Sequence, residues 1–218
     1  MTAKTPEEQL IRARELYKSD NTAAVGVYRE LVKTLPVGHF WAAANIDLAM
    51  HEFGVGEFES ALRLTQAVLD AGMRVENEGQ AIAGILRSQA LEMLDRDIDE
   101  VALSRWIEDA ITAKTPRHAA SGTSILARRA LNRDEQERAR ALLERAVELW
   151  NEAESMTGGP EQLRRLALLD IAQGKPEEAR RHLELALDWL KRFPDGGMAP
   201  RFAEKKIREL LHTVPSSP

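Results

Sequence analysis

The residues able to do chemistry are few and poorly spaced for it. The 218-residue chain holds five histidines and no cysteine, which removes thiolate metal sites, disulfides and cysteine nucleophiles. Asp95-Arg96-Asp97-Ile98-Asp99 starts like a calcium loop, in which alternate oxygens wrap a hard cation. Its sixth position is Glu100 where such a loop needs glycine, and its twelfth is Trp106 where it needs a bidentate glutamate. A solvated turn is the better reading. Asp47 and His51 stand four apart, with His39 and Glu52 close by, so two or three ligand atoms could gather there. No HExxH or comparable spacing accompanies them, and a pair of surface histidines explains them more simply. His118, His182 and His212 have no recognisable partner in the sequence. Gly54-Val55-Gly56 and Gly158-Gly159-Pro160 lack the form of a phosphate-binding loop. No nucleophile, base and orienting residue can be assembled by spacing. The chain reads as non-catalytic, with no metal and no cofactor.

Charge is more informative than any of these. Arg117, Arg128, Arg129 and Arg133 occupy a stretch with no acidic residue, and Arg164 and Arg165 face only Glu161 and Asp170 in the next comparable segment. Arginine forks suit carboxylate and phosphate groups. The alternative is that they merely pair with glutamates of neighbouring helices. The whole chain is acidic, at net charge −5, which argues against a nucleic-acid reader, as does its 5% aromatic content.

The elements that carry these residues are helices. Ala, Glu, Lys, Leu and Arg number 31, 24, 8, 27 and 22, roughly half the chain, and β-branched residues are scattered. Thr5-Pro6-Glu7-Glu8 has the hydroxyl, proline and glutamate of a capped helix start. Thr115-Pro116, Gly159-Pro160-Glu161 and Gly174-Lys175-Pro176-Glu177-Glu178 repeat that chemistry, predicting roughly eleven helices and no strand. No apolar run reaches the length of a bilayer span, and the first residues carry no signal-peptide core, so the expected location is the cytoplasm.

Segments of the chain match one another. Leu166-Ala167, Gly174, Ala179, Leu183 and Ala186 share their offsets with Leu126-Ala127, Asp134, Ala139, Leu143 and Ala146. Leu48-Ala49, Gly56, Ala61, Thr65 and Val68 keep them too. Ile11, Ser19, Ala24, Tyr28 and Leu31 form a first unit. Ala90-Leu91, Ile98, Leu103, Ile107 and Ala110 form the poorest, the third. Ala24, Ala61, Leu103, Ala139 and Ala179 lie 37, 42, 36 and 40 residues apart. Small side chains at such positions let two helix backbones approach closely.

This pattern resembles the tetratricopeptide repeat family, although the spacing exceeds the family's period of 34 and its early Trp and Gly are absent from most units. The resemblance implies an all-α, right-handed superhelix of about five antiparallel helix pairs plus a C-terminal capping helix. It covers about residues 5–192 of one domain, residues 1–214, with units 6–37, 40–73, 77–115, 117–156 and 160–193, a cap at 199–212, and a frayed tail at 215–218. Phe202, Ile207, Leu210 and Leu211 would form the apolar side of the cap, which covers the last repeat.

In this family the first helix of each pair lines the concave groove. Carrying those positions over implies a partner-binding groove of Asp47, Met50, Phe53, Gln89, Ser124, Arg128, Arg164, Arg165 and Leu168. The family's two-carboxylate clamp needs Lys and Asn where this chain has Gln9 and Ala13, Ile46 and Met50, Ser88 and Glu92, Ser124 and Arg128, and Arg164 and Leu168. That clamp is absent. What the resemblance implies is a non-catalytic scaffold or adaptor that holds a protein or peptide, with an acidic or carboxylate-bearing segment as the natural match to a groove basic in its C-terminal half. The alternative is a regulatory sensor that closes the same groove on a small peptide or small molecule. Neither nucleic acid nor membrane is an expected partner, and self-association stays open.

Overall fold

Thr5 opens the first helix as its side chain and spacing predict. Its Oγ1 accepts from the Glu8 amide at 3.2 Å, the Glu8 carboxylate accepts from the Thr5 amide at 2.9 Å, and Pro6 occupies the first helical position. The computed structural model describes residues 5–72, 75–156, 158–192 and 198–214. Among them are eleven helices and no strand. Their contacts gather into two compact units, Met1–Ala113 and Lys114–Pro218. The fraying expected at 215–218 lies outside the described residues.

The first unit contains α1 (Pro6–Tyr17), α2 (Asn21–Thr34), α3 (His39–Gly54), α4 (Phe58–Asp70), α5 (Asn77–Met93) and α6 (Glu100–Thr112). The second contains α7 (Pro116–Asn132), α8 (Gln136–Glu152), α9 (Gly158–Ala172), α10 (Pro176–Lys191) and α11 (Met198–Thr213). Within each unit every helix packs on the next, as a stack of helix pairs does. First helices also touch the following first helix: α1 meets α3, α3 meets α5, α7 meets α9, and α9 meets α11. Second helices approach one another less, so the first helices form the inner face of each unit.

The repeat is more regular in space than in sequence. Gly56, Asp95, Asp134 and Gly174 all adopt positive φ, at 88°, 53°, 59° and 70°, where a first helix ends. The amides that follow return to equivalent carbonyls: Glu57 to Glu52, Arg96 to Leu91, Glu135 to Ala130 and Lys175 to Asp170. Counted there, the period is 39, 39 and 40 residues. The turn residue of the third unit is therefore Asp95 rather than Ile98. Residues 97–99 lengthen its loop, Ile98 is buried, and Asp99 caps α6 through the Val101 and Ala102 amides at 3.1 and 3.0 Å.

The small-residue positions Ala24, Ala61, Ala139 and Ala179, and Leu103 at their equivalent, have no exposed surface. The second unit's core joins Leu143, Leu166, Leu183 and Trp189 to Ile207 and Val214 at the end of the chain. Ile207 is buried and Leu210 and Leu211 pack against this core, as a cap requires. Phe202 does not: it is 63% exposed, with the Lys206 ammonium 4.5 Å from its ring centroid. Ala203, Ile207, Leu210, Leu211 and Val214 follow one stripe of the helix, and Phe202 falls off its edge.

Tyr28 gives this packing a pH signature. It is buried in the first unit, and burial foremost, then the Asp47 charge, pushes its hydroxyl up to about 12. In the unfolded chain a tyrosine ionises at about 10, so the native state holds its proton longer. That contribution is fully present below about pH 10 and is lost as pH rises towards about 12. Urea unfolding across this range should show the decline, and Tyr28→Phe should remove this part of it.

Candidate functional site

The inner face of the first unit is tied together by side chains from successive first helices. Arg14 of α1 donates through Nε to Asp47 Oδ2 of α3 at 2.7 Å, and the Tyr17 hydroxyl lies 3.1 Å from His51 Nδ1. The Asp47 hydrogen bond holds the Arg14 guanidinium above its ordinary pKa, against partial burial. Asp47 is thus a link between repeats, its side chain only 10% exposed. Phe53 is half-buried and meets Phe58 edge-on, with centroids 5.2 Å apart, inside its own helix pair. Gln89 is half-buried on α5. Met50 is 42% exposed and leaves a flexible apolar contact on the surface.

The ligand-like grouping near His51 is dispersed by these pairings. Asp47 goes to Arg14, His51 to Tyr17, Glu52 to Arg29 of α2 at 3.0 Å, and His39 to Glu76 at 3.3 Å. No three histidine, aspartate or glutamate side chains converge among the described residues.

The second unit carries the basic side chains. Arg164 grips Glu161 with Nε and Nη2, both at 2.9 Å, and Arg165 Nε adds a third contact to the same carboxylate at 2.9 Å. Burial pushes the Glu161 carboxyl up, but the hydrogen bonds and charges of Arg164 and Arg165 outweigh it and hold the group below its ordinary value. The Glu161 hydrogen bond in turn raises Arg164. The arginines therefore pair within their own helix, at spacings of three and four residues, rather than with a neighbouring one. Two guanidiniums share one carboxylate, and the helix face keeps a surplus positive charge. Leu168 and Ile171, 42% and 39% exposed, lie beside it on α9. Arg128 is half-buried on α7.

Ser124 is placed differently from what the resemblance implies. It is buried, donates to the Ala120 carbonyl at 2.7 Å and accepts from Trp150 Nε1 at 3.1 Å. A serine so engaged joins α7 to α8 and offers nothing to a ligand. The nine groove positions fall as four in the first unit and five in the second; Met50 and Leu168 are exposed, and Phe53, Gln89, Arg128, Arg164 and Arg165 are half-buried.

One polar cluster was not legible from spacing. Asp170 has no exposed surface, yet it accepts from Arg140 Nη2 of α8 and lies 2.7 Å from His182 Nδ1 of α10. Arg140 also reaches Gln173 Oε1 at 3.1 Å. His182, without a partner in the sequence, thus finds one in Asp170. A buried carboxylate needs such company. Three successive helices meet at this one side chain. Their intervals of 30 and 12 residues match no local motif.

No helix is long and apolar enough to cross a membrane among the described residues. No family model matches the chain, and no curated protein does. Solved structures do. An assembly chaperone of RpL4, Acl4, superposes with a TM-score of 0.65 at 19% identity, over 97% of this chain and 85% of that one. TTC0263, a thermophilic tetratricopeptide repeat protein of Thermus thermophilus, gives 0.58 at 19% identity, over 94% and 100% of the two chains. BtubC from P. vanneervenii gives 0.58 at 16% identity, over 98% and 92%. The chain has the tetratricopeptide-like helical-repeat fold, all-α and built of successive helix pairs.

Proposed function

We propose that this chain is a non-catalytic scaffold that binds a protein or peptide on its first-helix faces, and that it acts in the cytoplasm. The observation that carries the reading is the α9 face. Arg164 and Arg165 are held ready over a single carboxylate, beside exposed Leu168 and Ile171. Such a face matches a segment bearing carboxylates and an apolar side chain, with Arg128 of α7 adding charge within the same unit. A fold shared with an assembly chaperone of RpL4 agrees with a protein as the partner. Partly exposed guanidiniums give modest, salt-sensitive affinity rather than tight binding.

Reversing Arg128 and Arg164 to glutamate should abolish partner capture, with far-UV circular dichroism verifying that the variant is folded despite the lost Arg164–Glu161 pair. Affinity capture read by mass spectrometry is the test. A protein retained by the native chain and lost from the double variant supports the scaffold. Capture that survives the reversal at both low and physiological salt removes the basic face as the binding site. A small molecule retained through purification in place of any protein would replace the scaffold with a sensor.

A further inference from the structure

A second cationic surface lies in the first unit, away from its inner-face pairings, in a cleft of about 470 Å³ between α4 and α5. Arg63 of α4, Arg87 of α5 and Arg96 of the following turn all line it, three cations against the two acids Glu59 and Asp70. Its two acids are already engaged. Glu59 takes both Nη atoms of Arg96, at 3.2 and 2.5 Å, and Asp70 accepts from Gln66 at 2.8 Å. Arg63 and Arg87 have no hydrogen-bonded or ion-paired partner among the described residues, although Arg87 is half-buried.

The repeat supplies its own comparison. Between α8 and α9 lies the equivalent cleft, where Glu137, Arg140 and Lys175 stand in the places of Glu59, Leu62 and Arg96 relative to their turns. There the half-buried guanidinium of Arg140 is consumed by Asp170. Between α4 and α5 the corresponding positions are Leu62 and Leu91, so the cleft has an apolar floor where the other has a buried ion pair.

We propose that this cleft binds a phosphate monoester carried on an apolar body. Arg63 and Arg87 come from different helices, and guanidiniums arriving from two sides suit the three oxygens of a tetrahedral dianion better than the two of a flat carboxylate. Two guanidiniums without a carboxylate partner offer it charge-assisted hydrogen bonds, against one carboxylate, Asp70, that only the neutral Gln66 amide engages. Leu62, Ala67 and Leu91 receive the apolar part.

The probe is phenyl phosphate, titrated into the full chain while methyl NMR signals of Leu62, Ala67 and Leu91 are followed. Saturable shifts at these methyls are expected in the millimolar range or tighter, with affinity at least about tenfold weaker in Arg63→Gln/Arg87→Gln. The change of one exposed and one half-buried guanidinium to amides leaves Leu62, Ala67 and Leu91 in place, and unchanged circular dichroism verifies that the variant is folded. Phenylacetate should bind several-fold more weakly than phenyl phosphate. Equal binding of the two would overturn the assignment to phosphate. No saturable shift, a shift that persists in the double variant, or shifts centred on the Arg164 face would overturn the site itself.

Discussion

Asp170→Ala should destabilise the protein by about 3 kcal/mol, the low end of the cost of removing one member of a buried ion pair. The side chain is fully buried and holds Arg140 and His182 from two other helices. Its loss strands a guanidinium whose side chain is only 25% exposed. It also strands an imidazole whose side chain is 10% exposed. The first can partly turn to water, which is why the effect should not reach the upper end of about 5 kcal/mol. Asp170→Asn retains one acceptor oxygen and should cost less. Chemical denaturation of the three proteins gives the order directly. A loss below about 0.5 kcal/mol for Asp170→Ala would place it with ordinary surface changes and contradict its role in joining α8, α9 and α10.

Gly84→Ala should destabilise by about 1–3 kcal/mol even though alanine is the better helix former. A Cβ added to Gly84 would lie 2.1 Å from the Trp106 ring, and the atoms it meets are those of the ring fusion, which cannot swing aside as a flexible tip can. Similar contacts occur in the second unit, where Gly158 receives the ring fusion of Trp150 and Gly159 the outer edge of Trp189, at 2.2 and 2.3 Å from the added atom. Gly26 on α2 is the control, because an added Cβ there meets nothing within 4 Å. Gly26→Ala should stabilise by about 0.5–1 kcal/mol. Opposite signs for one chemical change would show that packing against tryptophan, rather than helix propensity, requires glycine at position 84.

The sequence carried these two features unequally. The start of α1 was legible because capping is local: Thr5, Pro6 and Glu8 act within four residues of one another. The Thr115 side chain, by contrast, makes no cap hydrogen bond, and Pro116 alone marks the start of α7. The small positions of the second helices were legible because their burial recurs with each pair. The third unit was harder, since its extra loop residues 97–99 shift the phase between its first and second helices. Gly84 gave no signal of its own, because a glycine within a helix is explained only by the ring that lies on it.

The candidate face divides in the same way. Arg164, Arg165 and Leu168 were carried over from the family resemblance, and in α9 the two arginines pair with Glu161 in the turn before Leu168. Ser124 shared their register, but its fate depended on Trp150, 26 residues later on the partner helix. Asp47 was likewise claimed by Arg14, 33 residues earlier. Position on a first helix says which way a side chain faces on average. Which polar groups remain available after neighbours have taken theirs is a tertiary property, and periodicity does not encode it.

Selection of acidic, partly apolar segments by the α9 face is the centre of the proposed function. A displayed library of random peptides, panned in parallel on the native chain and on folded Arg128→Glu/Arg164→Glu, tests it even while the natural partner is unidentified. The native chain should enrich peptides rich in Asp and Glu around an apolar residue, and the variant should lose them. Enrichment of neutral or basic peptides, or the same acidic peptides from both proteins, would contradict that selectivity.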